Sequence, residues 1–383
     1  MNRGVSLYLD LVRFLAAVAV LLTHLAYPEL SGGMLLPWRA WGNDAVMVFF
    51  VLSGFVVAHV TQTRETTMGD YAASRLARLW SVAVPALVLT LLLDLVGRMA
   101  DPGAYQQWWF QAEDPLWRAL RALSFTNQLW FESVRPFSNG PWWSLGYEAW
   151  YYALFGAMAF LRGRTRLLVV TAMALCAGPK ILLLFPVWYL GVATYRRLRA
   201  AEVSPERGLV WFAGSALAYL ALRASGLFDV LKALTYLLLG PENTAHYLGF
   251  SDEVLASYLI GPLVAVHFAG AWHMAARLEA WLTPVAGHIR WAAQSTFALY
   301  LLHYPMLRFV AAVTDYDVHS PLAVAAVALT TIAACCAAGS VIERGKGRWK
   351  RRLLHIAGRF APHRGSLVTR RRTLPDRLTR RPR

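Results

Sequence analysis

Three ionisable side chains interrupt the first long apolar stretch of the chain, and their types and spacing can support acid-base chemistry. The stretch covers residues 7 to 26 and contains Asp10, Arg13 and His24. As a helix it would be about 30 Å long, the thickness of the hydrocarbon core of a bilayer. Arg13 and His24 are eleven residues apart, so they share one helix face and lie about 16 Å apart along the axis. Ionisable groups in such a segment normally face a protein interior or a watery cavity, which makes all three candidate site residues.

A purely structural interpretation of this stretch stands beside the functional one. Asp10 and Arg13 can pair with each other, and the arginine can reach the headgroups near the helix end. His24 can be a hydrogen-bonded histidine at the membrane interface. The first apolar stretch on its own leaves both interpretations open.

A carboxylate occurs in the aromatic stretch NGPWWSLGYEAWYY, residues 139 to 152. Ser144 and Glu148 are four residues apart and share one helix face. Because Pro141 marks the helix start, Glu148 comes close to the depth of His24. A carboxylate that orients a histidine, or shares a proton with it, forms a common acid-base pair. The alternative is a salt bridge inside a helix bundle, with Arg13 as the partner.

Two arginines three residues apart, Arg75 and Arg78, share one face of a helix at a membrane surface. Two guanidiniums at such a place can clamp phosphate groups. They can also be simple anchors of the kind that the positive-inside rule describes. In the preceding apolar segment, Ser53 and Gly54 favour close packing of helices.

The remaining histidines and the cysteines give no sign of a metal centre. His303 lies two residues before Pro305 in an apolar segment, where a structural role at a helix kink is the more common one. No histidine spacing is typical of metal ligands. The three cysteines all lie in apolar runs and form no CxxC pattern, so neither a disulfide framework nor a cysteine metal site is expected.

Composition and charge place the chain among polytopic membrane proteins. Hydrophobic residues make up 57% of the 383 residues, with 16 tryptophans, which exceeds an ordinary soluble domain. The net charge of +16 is concentrated in residues 344–383, which contain 15 Lys or Arg and one acidic residue. A basic end after the last apolar segment is typical of a cytoplasmic tail near anionic lipid. Nucleic-acid binding is therefore not expected.

The apolar segments predict an all-α polytopic membrane protein of about ten transmembrane helices. They are residues 7–26, 43–61, 79–97, 142–161, 166–179, 181–195, 208–223, 255–275, 291–313 and 321–342. Basic residues cluster after every second segment, which puts both termini in the cytoplasm. Residues 227–240 contain Asp229 and Lys232, and we expect a short re-entrant or interfacial helix there. Residues 1–343 would form the membrane domain and 344–383 the basic tail.

Five short motifs containing these polar residues resemble those of the acyltransferase 3 family of multi-pass membrane acyltransferases. They are LDLVRFLAAVAVLLTH at 9–24, FFVLSGF at 49–55, RLAR at 75–78, WSLGYE at 143–148 and YLLHYP at 300–305. The resemblance extends from Tyr8 to Ile342. It implies the transfer of an acyl group, commonly acetyl, from cytosolic acyl-CoA to a hydroxyl of a glycan or glycolipid.

The resemblance also implies roles for individual residues. His24 would be the general base, with Glu148 orienting it and Arg13 offsetting the developing negative charge. An acyl-histidine intermediate is an alternative. Substrate or CoA contacts are expected at the positions Asp10, Ser53, Arg75, Arg78, Ser144 and His303. Acyl-CoA would be a cosubstrate, and neither a bound cofactor nor a metal is expected.

The expected partners are acyl-CoA, a glycan or lipid-linked saccharide acceptor, the lipid bilayer and other envelope polysaccharide proteins. The expected location is the bacterial inner membrane. Two rival functions remain at this stage. A glycolipid transporter or flippase would also bury charges between its helices, and a non-catalytic subunit of a polysaccharide complex would tolerate the loss of His24.

Overall fold

A computed structural model describes residues 1–106, 110–199 and 204–360. Within those ranges the regular structure is helical, and one isolated bridge, between Gln111 and Phe137, is the sole β pairing. The helices are α1 (Arg3–Leu25), α2 (Pro28–Ser31), α3 (Gly42–Thr63), α4 (Met68–Ala100), α5 (Pro115–Leu123), α6 (Trp143–Phe160), α7 (Gly163–Ala177), α8 (Pro179–Leu198), α9 (Pro205–Ala224), α10 (Leu227–Leu239), α11 (Pro241–Asn243), α12 (Val254–His273), α13 (Ala275–Leu282), α14 (Ala286–Val313), α15 (Pro321–Ile342) and α16 (Lys346–Phe360). The expectation of an all-α protein is confirmed for the described residues.

Local sequence signals set the starts of the helices that build the site. Asn2 caps α1 by accepting a hydrogen bond from the backbone N–H of Gly4 at 2.8 Å. Thr67 caps α4 in the same way for the N–H of Asp70 at 3.1 Å. Such caps satisfy backbone donors that the first helical turn leaves without a partner.

The helices pack into one bundle with a shared apolar core. Helices α3 and α8 approach each other closely, and two glycines face the partner backbone there. A Cβ on Gly54 would collide with the carbonyl oxygen of Trp188, and one on Gly191 with that of Val51. This packing agrees with the expectation for the segment that contains Gly54.

Six helical segments among the described residues, some of which join consecutive helices, are long and apolar enough to cross a membrane. They are Arg3–Leu25, Leu36–Thr63, Met68–Ala100, Pro241–His273, Thr296–Val313 and Pro321–Ile342. Large apolar side chains on their outer faces, such as Leu15, Leu95 and Leu322, are exposed in the isolated chain. Because exposed leucine faces are stable in lipid but not in water, these faces fit contact with a bilayer.

The count of ten spanning helices is not confirmed. Each of the ten predicted segments falls on a helix, but α6, α7, α8 and α9 are not among the six. α7 shows one physical reason, since its 15 residues extend about 22 Å, less than the hydrocarbon thickness. The position of the termini relative to the membrane stays a prediction.

Two further segments were singled out from the sequence. Residues 227–239 form α10, a separate helix of 13 residues that is too short to cross a bilayer at about 20 Å. The basic segment after residue 343 begins with α16, which packs against α4. The rest of the predicted tail, from residue 361, lies outside the described residues.

Candidate functional site

A polar cavity of about 70 Å³ lies between α1, α3, α4, α6 and α14. The charged and hydroxyl side chains that line it are Arg13, Ser53, Arg75, Arg78, Ser144, Glu148, Tyr152, Thr296 and Tyr300. Since a water molecule needs about 10–15 Å³ on this measure, the space holds roughly five waters or a small acyl group. A whole coenzyme would have to lie largely outside it.

Glu148 is the carboxylate of this cavity, and two hydroxyl groups donate hydrogen bonds to it. The Ser53 hydroxyl donates at 2.6 Å and the Tyr152 hydroxyl at 2.5 Å. Tyr152 lies one helical turn after Glu148 on α6, so both side chains point into the same space. Ser53 comes from α3 and links the two helices through the carboxylate.

The three arginines of the cavity differ in their partners. Arg75 forms a buried ion pair with Glu65 at 2.6 Å. Arg13 lies 3.7 Å from Asp10, one helical turn earlier on α1, as the structural interpretation of that stretch expected. Arg78 lies over the ring of Phe297, with its guanidinium 5.9 Å from the ring centroid. The cavity lining therefore contains three guanidiniums and one carboxylate, and two of the guanidiniums also lie beside carboxylates outside the lining.

His24 and His303 form a second cluster at the other end of α1. Nδ1 of His24 lies 3.1 Å from Nε2 of His303, and the ring centroids are 4.9 Å apart. His303 is fully buried and His24 is half-buried. The ring of Tyr304 lies 4.8 Å from that of His24, so the pair is enclosed by aromatic side chains.

Charged residues surround the far side of this histidine pair. Arg308, one turn after Tyr304 on α14, donates hydrogen bonds to Tyr304 and to Glu29, both at 2.8 Å. Arg135, in the loop before α6, lies close by, and burial lowers the pKa of its guanidinium. The nearby positive charge of Arg308 also lowers the pKa of Arg135.

Tyr300 connects the polar cavity to the histidine pair. Its hydroxyl is hydrogen-bonded to that of Ser144 at 2.6 Å, and it lines the cavity. Its ring lies 6.1 Å from that of His303, centroid to centroid. Tyr300 therefore contacts both the polar cavity and the histidine pair.

The structure brings most of the predicted site residues together, but in two groups. Six of them line the polar cavity, and Asp10 pairs with one of these six. His24 and His303 form the other group. The expected contact between Glu148 and His24 is not among the contacts of the described residues, because Glu148 is bound by Ser53 and Tyr152, whereas His24 is bound by Val20 and His303.

Tyr152, Tyr300 and Asn139 were not among the predicted site residues, although Tyr300 begins the YLLHYP motif. The first two carried a usable signal, since Tyr152 is four residues after Glu148 and Tyr300 is three before His303. Asn139 carried none, because its partner is far away in the chain. Its side-chain amide donates to the carbonyl of Leu301 at 2.7 Å.

Another polar cluster of the bundle lies beside a second cavity, and its charged side chains pair with each other. A mostly apolar cavity of about 310 Å³ lies between α1, α3, α9 and α12. Its polar rim consists of Asp44 bound to Arg223 and Tyr219, and of His267 bound to Tyr8. In the described part of the chain, no three His, Cys, Asp or Glu side chains are grouped as metal ligands.

A bundle with six helices able to cross a bilayer, and with ionisable side chains gathered between them, is an integral membrane protein with an internal polar site. A family model described as an acyltransferase domain, Acyl_transf_3, matches residues 6–339. The chain therefore belongs to the acyltransferase 3 family and is a membrane acyltransferase, as the motifs indicated. No curated protein and no solved structure matches this chain.

Proposed function

We propose that this membrane acyltransferase transfers an acyl group, most simply acetyl, from acyl-CoA to a hydroxyl of a cell-envelope glycan, exopolysaccharide or glycolipid. The bacterial inner membrane is the proposed location, with the start of α4 on the cytoplasmic side. The observation that carries the proposal is the arrangement of an arginine-lined cavity and a histidine pair joined through Tyr300. In this arrangement the charged acyl donor would bind in the arginine-lined cavity, and the base that accepts the proton would lie in the adjacent space.

Arg75 and Arg78 are the proposed contacts for the CoA phosphates. Guanidinium groups bind phosphate through charge-assisted hydrogen bonds, and three arginines line this cavity. The acyl end of the donor would extend from this cavity past Tyr300 toward His24.

His24 is the proposed general base. One ring nitrogen takes the proton of the acceptor hydroxyl, the hydroxyl oxygen forms a bond to the thioester carbonyl carbon, and the carbon–sulfur bond breaks. The proton on the imidazole then passes to the CoA thiolate, which leaves as the thiol. The step is balanced without a further reactant.

We propose roles for Arg13 and Glu148 that differ from those implied by the family resemblance. Arg13 is about 16 Å along the helix axis from His24 and lines the arginine cavity, so we place it with the donor and not at the reacting carbonyl. Glu148 lies in the same cavity, where its negative charge and its bonds to Ser53 and Tyr152 hold the arginine-rich space together. The residue beside His24 is His303.

Inside-out membrane vesicles from cells that lack the native gene provide the test. The vesicles carry the wild-type protein or the His24→Ala variant, and they receive acetyl-CoA labelled in the acetyl group. We expect wild-type vesicles to release CoA and to label a glycan or glycolipid fraction, and His24→Ala vesicles to lose at least a hundredfold in rate, as removal of a general base does. Wild-type vesicles that label neither fraction would refute the proposal.

A further inference from the structure

His24 and His303 form a hydrogen-bonded pair from two helices that are 279 residues apart in the chain. Each ring also has a backbone partner on its own helix. Nδ1 of His24 lies 2.9 Å from the carbonyl oxygen of Val20. Nδ1 of His303 lies 3.1 Å from the carbonyl oxygen of Leu299.

These two carbonyls determine where the protons are. A carbonyl oxygen only accepts hydrogen bonds, so the Nδ1 atom of each ring must carry the hydrogen. Nε2 of neutral His303 then has a lone pair and lies 3.1 Å from Nδ1 of His24, whose N–H it accepts together with the carbonyl oxygen of Val20. The opposite tautomers would place lone pairs of Nδ1 against the carbonyl oxygens of Val20 and Leu299.

We infer that His303 is a positioning residue, which accepts a hydrogen bond from Nδ1 of His24 and thereby keeps Nε2 of His24 unprotonated and free to act as the base. This inference rests on the proposed acyl transfer. It assigns the proton-accepting atom of the reaction to Nε2 of His24. When Nε2 takes the proton of the acceptor hydroxyl, the Nδ1–H stays bound to Val20 and His303, and the imidazolium is stabilised in place.

A histidine suits this position better than a carboxylate would. In many hydrolases an aspartate fixes the tautomer of the catalytic histidine. His303 lies within Thr296–Val313, one of the six helices able to cross a bilayer, and a buried carboxylate in such a segment is costly. A neutral imidazole provides the same acceptor without a buried charge.

The bundle holds α14 near His303 through a hydrogen bond to the backbone beside Pro305. Pro305 has no N–H, so the carbonyl of Leu301 one turn earlier loses its helical partner. The buried side chain of Asn139 donates to that carbonyl at 2.7 Å and to the hydroxyl of Thr90 at 3.1 Å. The loop before α6 therefore fixes the part of α14 that carries His303.

The test compares two substitutions at this position in the vesicle assay with labelled acetyl-CoA. His303→Leu removes the acceptor, and His303→Gln keeps an amide oxygen able to reach the position of Nε2. We expect His303→Leu to lower the maximal rate by roughly 10²–10⁴-fold, the usual effect of losing the orientation of a base. We expect His303→Gln to stay within tenfold of wild type, and the KM for acetyl-CoA to stay unchanged in both because His303 does not line the arginine cavity.

His267→Leu is the matched control for loss of a buried histidine. His267 is also hydrogen-bonded inside the bundle, to Tyr8 and to the carbonyl of Phe212, but it is remote from His24. We expect the His267→Leu variant to lose about as much thermal stability as His303→Leu. Its maximal rate should stay within threefold of wild type.

Three results would overturn the inference: equal losses of rate in His303→Leu and His303→Gln, a wild-type rate in His303→Leu, or a loss confined to KM. These three results for the His303 variants can be told apart from a failure of the proposed acyl transfer itself. In that case the wild-type vesicles themselves would transfer no label and His24→Ala would change nothing.

Discussion

Substitution of the cavity arginines tests donor binding. Arg75 also contributes to stability because it has a buried ionic partner, so the two effects must be measured separately. Arg75 and Glu65 form a 2.6 Å ion pair, and their side chains are only 11% and 5% exposed. Removing one member of a buried pair costs about 3–5 kcal/mol, since the other charge loses its compensation. Arg75→Gln is therefore expected to destabilise the protein by about this amount. The Glu65→Gln/Arg75→Gln double variant removes both charges and is expected to recover most of the loss.

The effect on donor binding follows from the bonds between guanidinium and phosphate. A hydrogen bond to a charged group contributes about 1.5–3 kcal/mol, which corresponds to roughly 10–150-fold in affinity. We expect Arg78→Gln and the double variant at 65 and 75 to raise the KM for acetyl-CoA by this factor. The maximal rate should change much less, because the arginines line the cavity, whereas His24 and His303 do not.

The assay is the rate of label transfer in inside-out vesicles over a series of acetyl-CoA concentrations, with the thermal unfolding of each purified variant measured in parallel. Arg164→Gln, an exposed arginine at the start of α7, is the control for loss of one surface charge. A KM within twofold of wild type in both Arg78→Gln and the double variant would show that the cavity does not bind the donor phosphates. The route proposed for acyl-CoA would then be wrong.

Three further substitutions test other parts of the reasoning. Glu148→Gln removes the one carboxylate that lines the arginine cavity. Because that carboxylate repels the donor phosphates, the KM for acetyl-CoA should fall by roughly fivefold, about 1 kcal/mol. A higher KM would contradict this. Gly54→Ala places a methyl group against a backbone carbonyl of α8 and should lower the free energy of unfolding by about 1–3 kcal/mol. Gly214→Ala is the control, because the space around Gly214 is open, and it should be neutral or stabilising by up to about 1 kcal/mol. Equal melting temperatures for the two variants would refute the packing argument. Asn139→Ala removes a fully buried hydrogen-bond donor to α14. The free energy of unfolding should fall by about 1–3 kcal/mol, and the maximal rate should also fall. An unchanged rate would show that the bond to α14 beside Pro305 does not position His303.

The fold was largely predictable because the signals for it are local. Each long apolar run became a helix, and the short run at 227–240 became the separate helix α10. The number of membrane crossings was less predictable. Runs such as the one in α7 are apolar, yet their length is marginal against the bilayer thickness.

Sequence by itself determined the family, the helical class and the contacts within one helix. Asp10 with Arg13 and Glu148 with Tyr152 are neighbours because residues three and four apart always meet on a helix face. Only the tertiary structure decided that Ser53 binds Glu148 and that His303, not Glu148, lies beside His24. Those partners are 95 and 279 residues apart, and their meeting depends on which helices pack together and at what depth. Helical periodicity states which way a side chain points, but not which neighbouring helix it meets there.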